Sequence, residues 1–238
     1  MRPEVTVVIP TYNEGRIIID TIKKIEAGLN GVKIPYEIII SDDGSKDETI
    51  KVVKQWMKYD KKVKILTCEV NRGYGEAISD GFYNSRGKIL VHVDADLSTD
   101  VRHLKDLIHS IKSDYDIVIG SRYVEGSVVK RANFRRMTSF LYRFLVKTIL
   151  NIKVKDHATG FKGYKKDVAL ELIKEMNTLG SNIRGIAWGT EIVCRAERKG
   201  YKIKEFPVYW VEGRKSEINV IKEGIKTIKY IIGLSFRI

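Results

Sequence analysis

Leu90-Val91-His92-Val93-Asp94-Ala95-Asp96 is the stretch on which the reading of this chain turns. It reads as a short buried strand that ends in two carboxylates separated by one residue. Side chains alternate faces along a strand, so Asp94 and Asp96 both face a point just past the strand end. Two like charges at that spacing repel unless a cation lies between them, and oxygen-only donors suit Mg²⁺ or Mn²⁺. Open α/β sheets bind their ligands outside the carboxyl ends of the strands, where this pair falls. Taken alone, the pair is better explained as a solvated turn capping a helix that begins near Asp100. The neighbouring segments overturn that reading.

Working outward, β-rich runs at Val5 to Pro10, Tyr36 to Ser41, Val63 to Cys68, Lys88 to Val93 and Tyr115 to Gly120 alternate with helical patterns. The helical patterns cover about 13–29, 46–59, 75–85 and 100–112. Such alternation predicts an α/β fold, a mostly parallel sheet with helices on both faces. After Gly120 the rhythm breaks. A basic loop (122–136) precedes a helix at 137–150, a GFKGY strand, helices near 166–175 and 189–199, a strand at 201–208 and a last helix from about 217. The expected organisation is a catalytic unit over 1–216, with a nucleotide half (1–120) and an acceptor half (121–216), followed by an amphipathic helix over 217–238.

Composition narrows the class. The 238 residues are 43% hydrophobic, enough for a substantial core, and the net charge of +13 implies an anionic partner. Nucleic acid, a phosphorylated metabolite and an acidic membrane face all qualify. Scattered aromatics and the lack of an RRM, KH or helix-turn-helix signature leave a basic nucleic-acid-binding module as a distant alternative. Cys68 and Cys194 are the only cysteines and form no CxxC, which argues against a disulfide framework or zinc site and fits a reducing compartment. The opening MRPEVTVVIP carries too short an apolar run for a signal-peptide core. No stretch approaches the roughly 20 apolar residues that span a bilayer.

Three further loops are expected on the same sheet edge. Pro10-Thr11-Tyr12-Asn13-Glu14 ends the first strand and Ser41-Asp42-Asp43-Gly44-Ser45-Lys46-Asp47 the second. Asp42 or Asp43 suits hydrogen bonds from a base or ribose, Gly44 permits a tight turn, and Ser45 or Asp47 can cap the next helix. Asn71-Arg72-Gly73-Tyr74-Gly75-Glu76-Ala77 follows the third strand, with glycines that let backbone amides approach a ligand. A lone GxG says little, and neither a Walker lysine nor a GxGxxG fingerprint is present.

VVIPTYNE, SDDGSKDET, NRGYGEA, HVDADLS and GSRYVEG occur here in the order seen in family-2 glycosyltransferases of the GT-A fold. The chain is most similar to the dolichyl- and polyprenyl-phosphate hexose synthases, with dolichyl-phosphate mannose synthase as their type. The likeness continues through Asp156…Gly160-Phe161-Lys162, Trp188-Gly189-Thr190-Glu191 and Pro207-Val208-Tyr209-Trp210 with Arg214 and Ser216. The resemblance implies nucleotide-sugar contacts from Pro10, Tyr12, Glu14, Asp42, Asp43, Gly73, Asp94 and Ala95. It implies a Mg²⁺ or Mn²⁺ site at Asp94 and Asp96, with Ser98 as candidate third donor where some relatives carry Gln. The proline often found a few residues later is Val101 here. Arg122, Arg131, Arg135, Arg214 and Ser216 match the acceptor-phosphate region, and Lys162 and Glu191 are assigned to the sugar or the acceptor loop. Asp94, Asp96 and Arg122 are the expected catalytic residues.

The resemblance implies an inverting transfer of a hexose onto dolichyl or polyprenyl phosphate, a step of protein glycosylation, with mannose from GDP-mannose favoured. DADLS and GSRYVEG lean towards mannose, whereas Trp188-Gly189-Thr190-Glu191 leans towards glucose. A glucosyl or N-acetylhexosaminyl transfer from a UDP-sugar is therefore the alternative. A physical reading points the same way: Lys130, Arg131, Arg135 and Arg136 crowd one segment, and arginine suits bidentate phosphate contacts. The next helix carries Met137, Phe140, Leu141, Phe144, Leu145, Thr148 and Ile149 at i+3/i+4 spacing. The last segment repeats this with Ile218, Ile221, Ile225, Ile228 and Ile232 among Lys222, Lys226 and Lys229. Such stripes lie either in a membrane interface or in a core. Peripheral association with the cytosolic face of a membrane, with a membrane subunit or homo-oligomer as a further partner, is the expectation.

Overall fold

In the computed structural model of this chain, residues 2–178, 187–213 and 220–238 are described, apart from the side chains at 133–136, 177–178, 220–223 and 225. Nine strands and eight helices follow one another among these residues. The first half runs β1 (Val5–Thr11), α1 (Ile18–Asn30), β2 (Tyr36–Asp42), α2 (Thr49–Trp56), β3 (Val63–Thr67), α3 (Tyr74–Tyr83), β4 (Ile89–Val93), α4 (Leu104–Lys112) and β5 (Ile117–Ser121). The second half runs β6 (Val128–Lys130), α5 (Asn133–Leu150), β7 (Phe161–Lys165), α6 (Lys166–Thr178), α7 (Ala187–Arg198), β8 (Ile203–Pro207), β9 (Tyr209–Val211) and α8 (Val220–Ser235).

Seven strands form one sheet in the order β3-β2-β1-β4-β7-β5-β8. All pairings are parallel except those of β7, which runs antiparallel between β4 and β5. Both faces are covered, so the inner strands read as continuous apolar runs, as buried parallel strands do. Alternation then sorts them: Val7, Ile9, Ile38, Ile40 and Val91 face one core with α1 and α4. Val8, Ile39 and Leu90 face the other with α3, α6 and α7. Helix α1 buries Ile18, Ile22, Ile25 and Leu29, and α4 buries Leu104, Leu107, Ile108 and Ile111, each as a single stripe.

The expected mostly parallel sheet is present, and four details differ. The helix expected from 13 begins at Ile18, because Asn13 takes φ 58° and the chain turns before it can coil. The helix expected from 100 opens with a 3-10 turn over Val101–His103, capped by Asp100 accepting from the Arg102 N–H at 2.9 Å. The basic loop contains β6, which pairs in parallel with β9, and helix α5 starts four residues earlier than expected, at Asn133 instead of 137. Neither three-residue strand has enough length to show a period.

Insertion of β7 places the second half against the DxD edge. Its register pairs Val93 with Phe161 and His92 with Lys162, and the Asp94 N–H donates to the Gly160 carbonyl at 3.1 Å. Gly163 leaves the room that the Leu107 side chain fills. Helices α5 and α8 pack on each other and on α7 through Val146, Leu150, Cys194, Ile231 and Leu234.

Candidate active site

Carboxylates brace the loops at the carboxyl edge. Asp42 Oδ1 accepts the Ser45 N–H at 2.9 Å, and its Oδ2 accepts hydroxyls from Ser45 at 2.5 Å and Thr11 at 3.3 Å. Asp43 receives the backbone N–H groups of Arg72 and Gly73, both at 2.7 Å, so it joins the end of β2 to the NRGYG loop. Gly73 can make that turn because glycine tolerates its φ of 106°. The Asn13 N–H donates to Ser45 Oγ, and the Lys46 N–H returns to Asn13 Oδ1, each at 2.8 Å. Pro10 is buried in β1, Tyr12 is exposed and Glu14 is half-buried on the same edge.

The DxD pair sits beside these loops. Asp94 is half-buried and Asp96 is exposed, while Ala95 is buried with its carbonyl accepting the Thr21 hydroxyl at 2.7 Å. Tyr74 donates its hydroxyl to Asp94 Oδ1 and lies 2.6 Å from His92 Nε2. Burial pushes the Asp94 carboxyl up, but His92, the hydrogen bond from Tyr74 and the charge of Lys162 together hold it below the usual range. Asp96 is oriented by Ser98, whose N–H and hydroxyl reach its two oxygens at 3.0 and 2.8 Å. The Ser98 hydroxyl thus aims Asp96 by donating its hydrogen, and its lone pairs stay available for the third-donor role expected of it.

Two glycines keep space around the pair. A Cβ at Gly160 would lie 1.7 Å from Asp94 Oδ2, and one at Gly213 2.8 Å from Asp96 Oδ2. A cavity of about 200 Å³ opens beside Asp96, lined by Ile17, Asp20, Thr21, Lys24 and Leu97. Among the described residues no group of three His, Cys, Asp or Glu side chains is placed to hold a metal ion. The donor set is therefore one carboxylate pair, hard and oxygen-only. It suits a hard divalent cation such as Mg²⁺ or Mn²⁺, which Asp94 and Asp96 would hold.

Strand β9 brings cations to this edge. The Val211 N–H donates to the Ser98 carbonyl at 2.8 Å and the Asp100 N–H to the Tyr209 carbonyl at 3.1 Å, so β9 is stitched to the segment after the DxD. Trp210 on that strand holds the guanidinium groups of Arg122 at 5.4 Å and Arg131 at 5.5 Å from its ring centre, within cation–π range. Arg122 also donates to Asp156 from its backbone N–H at 2.9 Å, Nε at 2.8 Å and Nη2 at 2.7 Å. Burial opposes its charge, and Asp156 outweighs that effect. Arg131 Nη1 donates to Ser139 at 2.7 Å. Lys162 is fully buried, with Nζ donating to the Thr159 carbonyl; burial pushes its ammonium down to about 8 against the pull of Asp156 and Asp94.

Glu191 lies elsewhere than the sugar or acceptor loop expected for it. It is 0% exposed, accepting from Arg195 Nε at 2.7 Å and from the Tyr230 hydroxyl, so it fastens α8 to α7. Burial pushes its carboxyl up, and Tyr230 and Arg195 work against that. Asp94, Arg122, Asp156 and Lys162 act on one another electrostatically, Arg131 joins Arg122 through Trp210, and Asp96 follows Asp94 by two residues. Arg135 falls within α5 with its side chain outside the described residues, as is that of Arg136; Arg214, Ser216 and Ile218 lie outside them entirely. Sequence reasoning missed Tyr74, His92, Asp156 and Trp210 as site-shaping residues. The one available signal was that each sits inside a segment already singled out.

The profile of glycosyl transferase family 2 matches residues 6–173. This chain belongs to that family, and its fold is the GT-A type expected from the sequence. Three relatives illustrate its place. Glycosyltransferase AglD of Haloferax volcanii is 32% identical over 224 residues, covering 92% of this chain but 35% of its own length. A dolichyl-phosphate beta-glucosyltransferase of Dictyostelium discoideum is 32% identical over 246 residues, 98% of this chain and 74% of that protein. A dolichol-phosphate mannosyltransferase of Pyrococcus furiosus is 34% identical over 184 residues, 76% of this chain and 51% of that one. The mannosyltransferase PcManGT from Pyrobaculum calidifontis, solved with GDP-Man and Mn²⁺, shares the fold at a TM-score of 0.63 and 21% identity. That superposition covers 100% of this chain and 65% of the other.

Proposed function

We propose that this chain transfers a hexose, with inversion, from a nucleotide-sugar to the phosphate of a dolichyl or polyprenyl phosphate. The observation that carries the proposal is the position of Arg122 and Arg131 around Trp210, on a strand stitched to the segment following the DxD. Phosphate-binding cations thereby face a carboxylate pair suited to a donor diphosphate. A phosphate monoester, with a second pKa near 6, is largely dianionic at neutral pH and needs no protein base to attack. This agrees with Glu191 being tied into a helix–helix contact. Arg122, rigid on Asp156, would align the incoming phosphate, and Arg131 would share its charge. Asp94 and Asp96 would hold Mg²⁺ or Mn²⁺, whose chemistry is to neutralise charge gathering on the leaving diphosphate.

Helix α5 supports a lipid-borne acceptor. Met137, Phe140, Leu141 and Phe144, on one helix face, are 57–64% exposed. No helix among the described residues is long and apolar enough to cross a membrane. We infer peripheral docking of this face on the cytosolic leaflet, aided by the excess of basic residues. Nucleic acid is not the expected partner; a membrane subunit or second copy remains part of the proposal. On the sugar, relatives named dolichyl-phosphate beta-glucosyltransferases align with 95–98% of this chain, which supports UDP-glucose as donor. GDP-mannose, favoured by DADLS and GSRYVEG, has the P. furiosus relative behind it. The test is incubation with Mn²⁺, polyprenyl phosphate and a panel of labelled nucleotide-sugars. Label entering the organic phase from UDP-glucose is expected; label from GDP-mannose alone would return the donor to mannose.

A further inference from the structure

The NRGYG loop reaches the DxD through one hydroxyl. Once the Tyr74 O–H donates to Asp94 Oδ1, its oxygen can only accept, so the proton between Tyr74 and His92 belongs to His92 Nε2. His92 is 1% exposed, and its Nδ1 finds no hydrogen-bond partner among the described residues. Leaving that nitrogen unpaired is a cost, accepted while the other nitrogen is committed to Tyr74. His92 itself stands 3.7 Å from Asp94 Oδ1, too far for a direct hydrogen bond, so its influence passes through the tyrosine.

The tyrosine is held from behind. Asp43 fixes the Arg72 and Gly73 amides, Trp188 packs against Gly75 with no space for a Cβ, and the Trp188 Nε1–H donates to Ser79 at 3.1 Å. The Tyr74 and His92 rings meet edge-on at 5.6 Å, and His92 meets Trp188 edge-on at 6.2 Å. Nothing in this arrangement requires a ligand to form it.

We propose that Tyr74 is a positioning residue for Asp94: by occupying Oδ1, backed by His92, it leaves Oδ2 as the oxygen presented to a divalent cation. This rests on the proposed metal role of the DxD. Asp94 Oδ2 seats in the space that Gly160 leaves by lacking a Cβ, which would stand 1.7 Å from it, so the carboxylate is held from that side as well. Loss of the hydroxyl lets the carboxylate rotate, and cation affinity falls while nucleotide contacts made by other loops do not.

The test uses the full chain and follows free Mn²⁺ by electron paramagnetic resonance, with UDP and, separately, GDP present. Tyr74→Phe keeps the ring and removes the hydroxyl, so Mn²⁺ binding is expected to weaken by about 10–100-fold, the range for lost outer-shell partners. Nucleotide affinity without metal is expected to be unchanged. His92→Phe keeps the aromatic packing and is expected to give a smaller loss in the same direction, which preserves the test if the tyrosine variant folds poorly. Equal Mn²⁺ affinity in Tyr74→Phe and the unmodified chain overturns the proposal. So does weaker metal-free nucleotide binding, which would make Tyr74 a nucleotide contact, or a larger loss in His92→Phe. Failure of the unmodified chain to bind Mn²⁺ with either nucleotide would instead remove the metal reading itself.

Discussion

The two sides of the site are built by opposite means. On the donor edge, acidic side chains hold short neighbouring loops through backbone amides: Asp42 to Ser45, Asp43 to Arg72 and Gly73, Asp47 to Gly15. On the proposed acceptor side, cations are held by an aromatic ring and a buried acid from the second half of the chain, as Arg122 is by Trp210 and Asp156. An edge of the first kind forms once β1, β2 and β3 lie side by side. The second kind exists only once β7 and β9 have docked, so acceptor binding, if it falls there as proposed, should be the more sensitive of the two to damage far from the chemistry.

The largest expected effect lies on the donor edge. Asp94→Asn or Asp96→Asn should lower turnover by orders of magnitude at unchanged thermal stability, and EDTA should do the same to the unmodified chain. Full activity in chelator would take the metal out of the account. Next, Glu191→Gln should cost about 3 kcal/mol or more of stability, because Arg195 loses a buried partner. Turnover per folded molecule should stay substantial; a stable but inactive variant would make Glu191 a base. Arg122→Ala should also cost about 3–5 kcal/mol of stability by leaving Asp156 buried and unpaired; in the folded fraction it should raise the acceptor Michaelis constant by an amount worth about 1.5–3 kcal/mol, one charged hydrogen bond, and leave the donor constant alone.

A further contrast separates α5 from α8, whose sequences look alike. Phe140→Ser with Phe144→Ser should release the chain from anionic vesicles without lowering its melting temperature. Leu234→Ala on α8 should cost about 2–5 kcal/mol of stability, since that side chain is core. Equal vesicle binding in both would mean that the α5 face is not the docking surface. A last contrast concerns pH. His157 is buried against Thr190, and burial pushes its imidazole down to about 3. The unfolded chain takes up a proton below about 6.5 that the folded chain refuses. Stability from this group is therefore complete above pH 6.5 and is lost as pH falls towards 3. His157→Asn should flatten that part of a urea-midpoint profile.

These contrasts also mark what could be read in the sequence. The β-α alternation and the DxD were legible because period and local spacing encode them, and the loops at 10–14, 41–47 and 71–77 follow strand ends. Arg122, Asp156, Lys162 and Trp210 meet only because β7 enters antiparallel and β9 pairs with β6, long-range events that leave no local signature. Periodicity likewise gave α5 and α8 the same apolar stripe. It could not tell that α8 spends Ile231 and Leu234 on α5 and α7, while α5 turns Phe140 and Phe144 outward. Glu191 misled for a related reason: its motif matched, but Arg195 and Tyr230 close around it only in three dimensions.

The central claim is that the nucleophile is a lipid phosphate. It is tested most directly by offering polyprenyl phosphate and the corresponding free polyprenol, side by side, with Mn²⁺ and labelled UDP-glucose or GDP-mannose. Label in the organic phase with the phosphate alone, at a rate that rises through pH about 6 and then levels, is the predicted result. Equal or better transfer to the free alcohol would contradict it.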